Sequence, residues 1–175
     1  SWPTAELLPT VGLFLLFLWF YGRLAPQLYF VMDDYIETPI NLAKPLPAIL
    51  ADIFAGRLDW SGYRPVTYAV RALLSHWFRL DFVLGYYLVG LGLHWLNTWL
   101  VLRISKQLFA HTAWACLAAL IFLLLPSHNE AIFYMSANAN LIGLCFALTT
   151  VALVLAMTPP QLPSLRRLVY GTIAC

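Results

Sequence analysis

Three short stretches of this chain hold residues able to do chemistry. Asp33 and Asp34 stand side by side in "YFVMDDYIETPIN", Tyr63 and Arg64 open "YRP", and His128 and Glu130 sit two apart in "PSHNEAIF". Adjacent carboxylates repel one another, so at a partly desolvated surface at least one pKa rises unless a cation or hydrogen bonds compensate. A carboxyl group poised in that way suits general-base work; the plainer reading is a helix cap carrying ordinary interfacial charge. Arg64 offers a planar fork matched to phosphate oxygens, or else a side chain that merely snorkels to the membrane edge. His128 and Glu130 suit a substrate hydroxyl or phosphate oxygen, a weakly held metal, or the loop's own hydrogen bonds. Two residues in that spacing do not make a zinc site, so the metal stays open.

A fourth candidate lies in an apolar run. His94 shares a helix face with Gly90, Asn97 and Thr98 by spacing. Small and polar residues on one stripe favour close helix packing in lipid. An intramembrane histidine is also a functional candidate by default, here as a ligand to haem or a pigment.

The elements that must position these residues follow from composition. Hydrophobic residues make up 62% of the chain and charged residues only 10%, with a mean hydropathy of +0.77. A soluble domain carries about one-quarter charged residues, so the expected class is an all-α, polytopic helical membrane protein. A net charge of +2, with no basic cluster interleaved with aromatics, argues against nucleic acid as a partner. Cys116, Cys145 and Cys175 are widely spaced and define neither a disulfide framework nor a metal set.

Crossing a hydrocarbon core takes about 20 mostly apolar residues. Spans are expected over residues 7–24, 82–102, 112–125 and 141–157, with "LVYGTIAC" opening a fifth helix. The amino terminus lacks the basic region and cleavage site of a secretory signal and reads as a retained anchor. Residues 30–81 hold six of the eight acids and five of the ten bases, together with two stretches whose apolar spacing suits interfacial helices. Pro65 is well placed to start the second of them.

Arg103, Lys106, Arg166 and Arg167 fall in alternate short loops, while residues 126–138 hold no lysine or arginine. The positive-inside rule then puts the amino terminus and those basic loops in the cytoplasm. Segments 30–81 and 126–138 face the extracytoplasmic side, where Asp33, Asp34, Arg64, His128 and Glu130 share one surface.

In order, these pieces resemble the amino-terminal part of the C-type glycosyltransferases, and among them the transmembrane and tetratricopeptide-repeat O-mannosyltransferases. Asp33, Asp34, Ile40 and Asn41 are similar to that family's first acidic element, and Tyr63, Arg64, Pro65 and Thr67 to its "YRPxT". Gly85, Tyr86, Leu88, Val89, Leu93, His94 and Asn97 resemble its "GYHLVN…LH…N". Pro126, His128, Glu130, Ala131, Ser136, Ala139 and Leu141 resemble its "HPxHxEAVxxISxRADLL". Tyr87, Gly90, Leu125, Asn138 and Asn140 depart from it, the last two replacing an arginine and an aspartate.

The resemblance implies a single membrane domain of which residues 1–175 are the amino-terminal part. It implies inverting transfer from a polyprenyl-phosphate sugar to a hydroxyl of an acceptor protein or glycan on the extracytoplasmic side. Asp33 would take the acceptor proton and Asp34 would orient substrate or a divalent cation, no other cofactor being called for. Arg64 would neutralise the leaving phosphate, with Tyr63, Asn41, His128 and Glu130 around donor or acceptor. The competing expectation is a non-catalytic subunit of a larger integral complex, packed against further membrane subunits and meeting pigment or haem through His94.

Overall fold

The computed structural model describes residues 4–23, 33–58, 62–109, 111–126, 128–134 and 137–157. The start of a fifth helix expected after residue 167 lies outside them. The described residues form eight α-helices: α1 Thr4–Gly22, α2 Asp33–Leu42, α3 Leu46–Phe54, α4 Pro65–Phe78, α5 Val83–Leu108, α6 Thr112–Leu124, α7 His128–Phe133 and α8 Asn138–Met157. Among the described residues there is no strand.

Proline and glycine set several boundaries. Pro65 occupies the first turn of α4, where a missing N–H costs nothing. The helix α6 stops short of Pro126. After α3, Gly56 takes φ +65°, a left-handed turn that suits glycine. Its N–H donates to the Ile53 carbonyl and that of Arg57 to the Asp52 carbonyl, at 3.1 and 2.9 Å, so the last open carbonyls of α3 are satisfied.

The centre of the molecule is α5, packed against α6 and α8. The stripe expected from spacing is its buried seam: Gly90, His94, Asn97 and Thr98 are all buried. Asn97 Nδ2 donates to the Leu141 carbonyl of α8 at 3.0 Å. A Cβ added at Gly90 would meet the Ile132 carbonyl oxygen at 3.0 Å and Asn138 Oδ1 at 3.1 Å, so α7 and the start of α8 close directly onto the α5 backbone. On α6, Ala115 and Ala119 have no exposed surface, and small residues of this kind let neighbouring helix backbones approach.

His94 stitches three helices together. Tyr21 Oη of α1 donates to the Leu123 carbonyl at 3.0 Å, and His94 Nε2 lies 3.2 Å from that same oxygen and 3.3 Å from Tyr21 Oη. The last four carbonyls of a helix have no partner within it. Tyr21 and His94 therefore act as a side-chain cap on the end of α6, with the imidazole stacked on Phe122.

These contacts fix the topology. Gly90 meets Asn138 and Asn97 meets Leu141, so α5 and α8 run in the same direction. At the end of α1 Tyr21 meets His94 and Phe133, the latter also against Tyr87, while Phe14 two turns earlier meets Trp95, so α1 opposes α5. The helix α6 starts four residues after α5 ends and its last turn reaches back to His94, so it opposes α5 as well. The α1-to-α5 segment and α7 therefore gather at one end of the bundle, while Arg103 and Lys106 lie towards the other.

One helix, α8, is long and apolar enough to cross a membrane by length and composition. Four such spans were expected, and helix length and composition do not support that number. The apolar stretches Leu7–Gly22 and Thr112–Leu124 are shorter. The 26 residues of α5 are long enough, at about 1.5 Å per residue, but His94, Asn97, Thr98, Arg103 and Lys106 dilute their apolar character. The ends shift as well: α5 continues past residue 102 to Leu108, and α8 begins at Asn138 rather than 141.

In the 30–81 segment, Asp52 of α3 accepts from Lys44 Nζ at 2.6 Å and from Arg57 Nε at 2.8 Å. The Lys44 hydrogen bond, followed by that of Arg57, holds the Asp52 carboxyl below the usual carboxylate range.

Two predictions follow from this packing. Replacing Gly90 with Ala should cost about 1–3 kcal/mol, since the carbonyl and amide it meets must move. Replacing Gly92, which has nothing within 4 Å of an added Cβ, should be neutral or gain up to about 1 kcal/mol from helix propensity. Thermal unfolding of the two variants in detergent distinguishes them. The depressed Asp52 pKa adds stability that is complete above the ordinary carboxylate value of about 3.9 and vanishes as pH falls through the folded value. Asp52→Asn should therefore lower Tm at neutral pH and match the parent in strong acid; a gap independent of pH would refute this.

Candidate functional site

The helix α2 turns its polar side inward. Thr38 and Asn41 have no exposed surface, and the Glu37 side chain keeps 17% exposure, whereas Tyr35, Ile36 and Ile40 are exposed. Its partner α4 presents Thr67, Arg71 and Ser75, successive residues four apart and all buried. What joins the two helices is therefore largely polar.

Three contacts set their register. Glu37 forms an ion pair with Arg71, whose side chain is 4% exposed. Asn41 Nδ2 donates to Ser75 Oγ at 3.2 Å, and His76 Nε2 lies 3.1 Å from the Lys44 carbonyl oxygen. Each pairs a later residue of one segment with a later residue of the other, so α2 and α4 run parallel. The offset of 34 positions puts the level of Asp33 and Asp34 beside Thr67 and Tyr68, one turn from Arg64. Both helices thus begin at the same end, where each carries partial positive charge from its macrodipole. The side chains of Asp33 and Asp34 lie outside what the structure describes; the backbone positions are the first two of α2.

Arg64 is the exposed residue that precedes α4, and its carbonyl accepts from the Tyr68 N–H at 3.0 Å. Tyr63 is exposed, and its hydroxyl donates to the Phe54 carbonyl at 3.1 Å, closing the α3–α4 connection. Beside it a recess of about 190 Å³ is lined by Ile53, Gly56, Leu58, Gly62, Tyr63 and Tyr68. Asn41 is sealed between α2 and α4, which places its amide in the helix contact.

His128 and Glu130 sit in the short helix α7, held by a different set of neighbours. Ala131 and Ile132 bury into the core and anchor α7 on α5 and α8, leaving Glu130 exposed. The His128 side chain lies outside the described set. The structure therefore brings the aspartate pair and Arg64 to one end of α2 and α4, and seats the His128–Glu130 turn at the same end of the bundle on other helices. His94 lies deeper, used in the joint between α1, α5 and α6. Among the described residues no three His, Cys, Asp or Glu side chains gather as metal ligands.

Sequence reasoning passed over Glu37 and Arg71. The signal was their spacing: Glu37 follows Asp33 by four residues and Arg71 follows Arg64 by seven, so each lies on the same helix face as the candidate before it.

With this geometry in hand, comparison with known proteins adds one likeness. The chain is 32% identical over 135 residues to the protein O-mannosyl-transferase Tmtc1 of Drosophila melanogaster, a match covering 68% of this chain. The chain spans only 15% of the length of that relative. No protein-family profile and no solved structure matches. The chain is thus a partial relative of a glycosyltransferase.

Proposed function

We propose that this chain is the amino-terminal part of a multi-pass membrane glycosyltransferase that moves a sugar from a polyprenyl phosphate to an acceptor hydroxyl at the extracytoplasmic face. The observation that carries the reading is the parallel seating of α2 on α4, which sets the aspartate pair within a turn of the level of Arg64. The O-mannosyl-transferase relative supports it and makes mannose the first sugar to try.

The bundle's surface supports the membrane part. Leu7, Leu15, Leu18 and Trp19 on α1, Trp114 and Ile121 on α6, and Phe146, Leu153 and Val154 on α8 point outward, while the seam of α5 is polar and buried. Large contiguous apolar surfaces are rare on soluble monomers. In lipid the same surface is satisfied, and the inward polar groups hold the helices together. On this reading α1, α5 and α6 cross with α8, and α2 to α4 lie at the outer interface with Tyr35, Ile36 and Trp77 against lipid.

The chemistry is a single displacement. Asp33 takes the proton of the acceptor hydroxyl as its oxygen attacks the anomeric carbon. The bond to the lipid phosphate breaks on the opposite side, and configuration inverts. Arg64 neutralises the charge that develops on the departing phosphate, an effect that grows where water is excluded. Asp34 orients the sugar or a divalent cation, and His128 and Glu130 position donor or acceptor from α7.

The test is transfer of labelled mannose from its polyprenyl phosphate to a hydroxyl-bearing peptide, by the natural full-length protein in membranes. Asp33→Asn should lower kcat by about 10²–10⁴-fold, and Arg64→Ala by about 10²–10³-fold. Undiminished transfer by Asp33→Asn would remove the proposed base.

A further inference from the structure

The helix α2 is poorly equipped to hold its own position. It is ten residues long with Pro39 inside it, and isolated helices of this length are marginal in water even without a proline. Its large apolar residues Tyr35, Ile36 and Ile40 point away from the protein. What seats it is the face bearing Glu37, Thr38 and Asn41, and the charged contact on that face, Glu37 with Arg71, lies one turn beyond the aspartate pair.

Burial makes this contact directional. A guanidinium as enclosed as that of Arg71 is tolerated only while paired, and removing the Glu37 carboxylate takes a charge partner from it. Apolar contacts tolerate sliding by a turn; a buried charge pair does not. Arg71 follows Thr67 by one turn on the buried face of α4, which starts right after Arg64, so the pair measures the offset between the first turn of α2 and the first turn of α4.

We propose that Glu37 and Arg71 are positioning residues of the transferase: their buried ion pair fixes α2 against α4 in the one register that brings Asp33 and Asp34 within a turn of the level of Arg64. This inference rests on the glycosyltransferase reading for its catalytic consequence, though the register itself is independent of it. Neither residue touches substrate in this account, and their effect is on the alignment of those that do.

The experiment has two arms, both on the full-length protein in membranes. In a background with Cys116, Cys145 and Cys175 changed to Ser, Ser75→Cys is paired with Asn41→Cys, its hydrogen-bond partner at the 34-residue offset, or with Thr38→Cys, about one turn away. Oxidation should cross-link the 41/75 pair in preference to 38/75. Adding R71Q should erase that preference, and exchanging the charges with E37R and R71E should restore it. A 41/75 preference unchanged by R71Q overturns the proposal whether or not the protein transfers sugar.

In the second arm, R71Q and E37Q should lower kcat by about 100-fold, the scale expected of a misalignment near 1 Å. The KM for the lipid-linked donor should stay within about threefold, because the donor-binding groups remain. Oxidised 41/75 cross-links formed before R71Q protein is assayed should recover much of the lost kcat, which repair of a merely unstable fold would not do without a matching gain in Tm. Equal loss in kcat and in protein yield, with no recovery on cross-linking, would assign the pair a purely structural role. A parent protein that transfers no sugar, with the cross-link pattern as expected, would instead discard the function and keep the register.

Discussion

An ion pair between Glu37 and Arg71, nearly sealed from solvent between two short helices, is the contact on which the candidate site depends. Breaking such a pair from one side costs about 3–5 kcal/mol, most of it the penalty of the charge left behind. In an ordinary soluble core that sum would be one contribution among many. Here the neighbouring apolar side chains of α2 face outward, so the polar contacts carry the seating of the helix. Asp33 and Asp34 inherit their level from it, because they begin the same helix one turn earlier.

The same logic governs the bundle behind the site. On the proposed membrane reading, lipid and protein interiors are equally apolar, so hydrophobic burial gives little preference for one helix arrangement over another, and polar groups and small residues decide it. On α5 they form one stripe. Gly90 admits the backbone of α7, Asn97 grips α8, and His94 meets α1 and the end of α6. The result is that α7, with Glu130, and the α2–α4 segment are gathered at one end by a single central helix.

Much of this was legible in the residues and some was not. The helical class, the proline at the start of α4, the stop of α6 before Pro126 and the burial of the Gly90–Thr98 stripe all followed from local rules with one strong signal each. The stretch from Pro39 was expected to be helical and the aspartate pair, on its plainer reading, to be a helix cap; the structure resolves that stretch into two helices, α2 starting at Asp33 with Pro39 inside it and α3 starting at Leu46. Glu37 and Arg71 went unnoticed because their pairing spans 34 residues, beyond any local pattern. Counting spans from apolar runs overstated what the helices support by length, since the run in α6 is 13 residues and α5 is diluted by the polar seam that packs it. Asn41, read as a substrate contact from resemblance, lies in the helix joint, where its amide bonds Ser75.

The claim at the centre is that the acidic pair, Arg64 and the α7 turn open to one side of a membrane, away from the basic end of α5. The most direct measurement is labelling of single cysteines with a membrane-impermeant thiol reagent, in sealed vesicles of known orientation. Cysteines at Arg64 and at Glu130 should react from the extracytoplasmic side, and a cysteine at Lys106 only after the vesicles are opened. Reaction of the Arg64 and Glu130 positions from opposite sides would contradict the account.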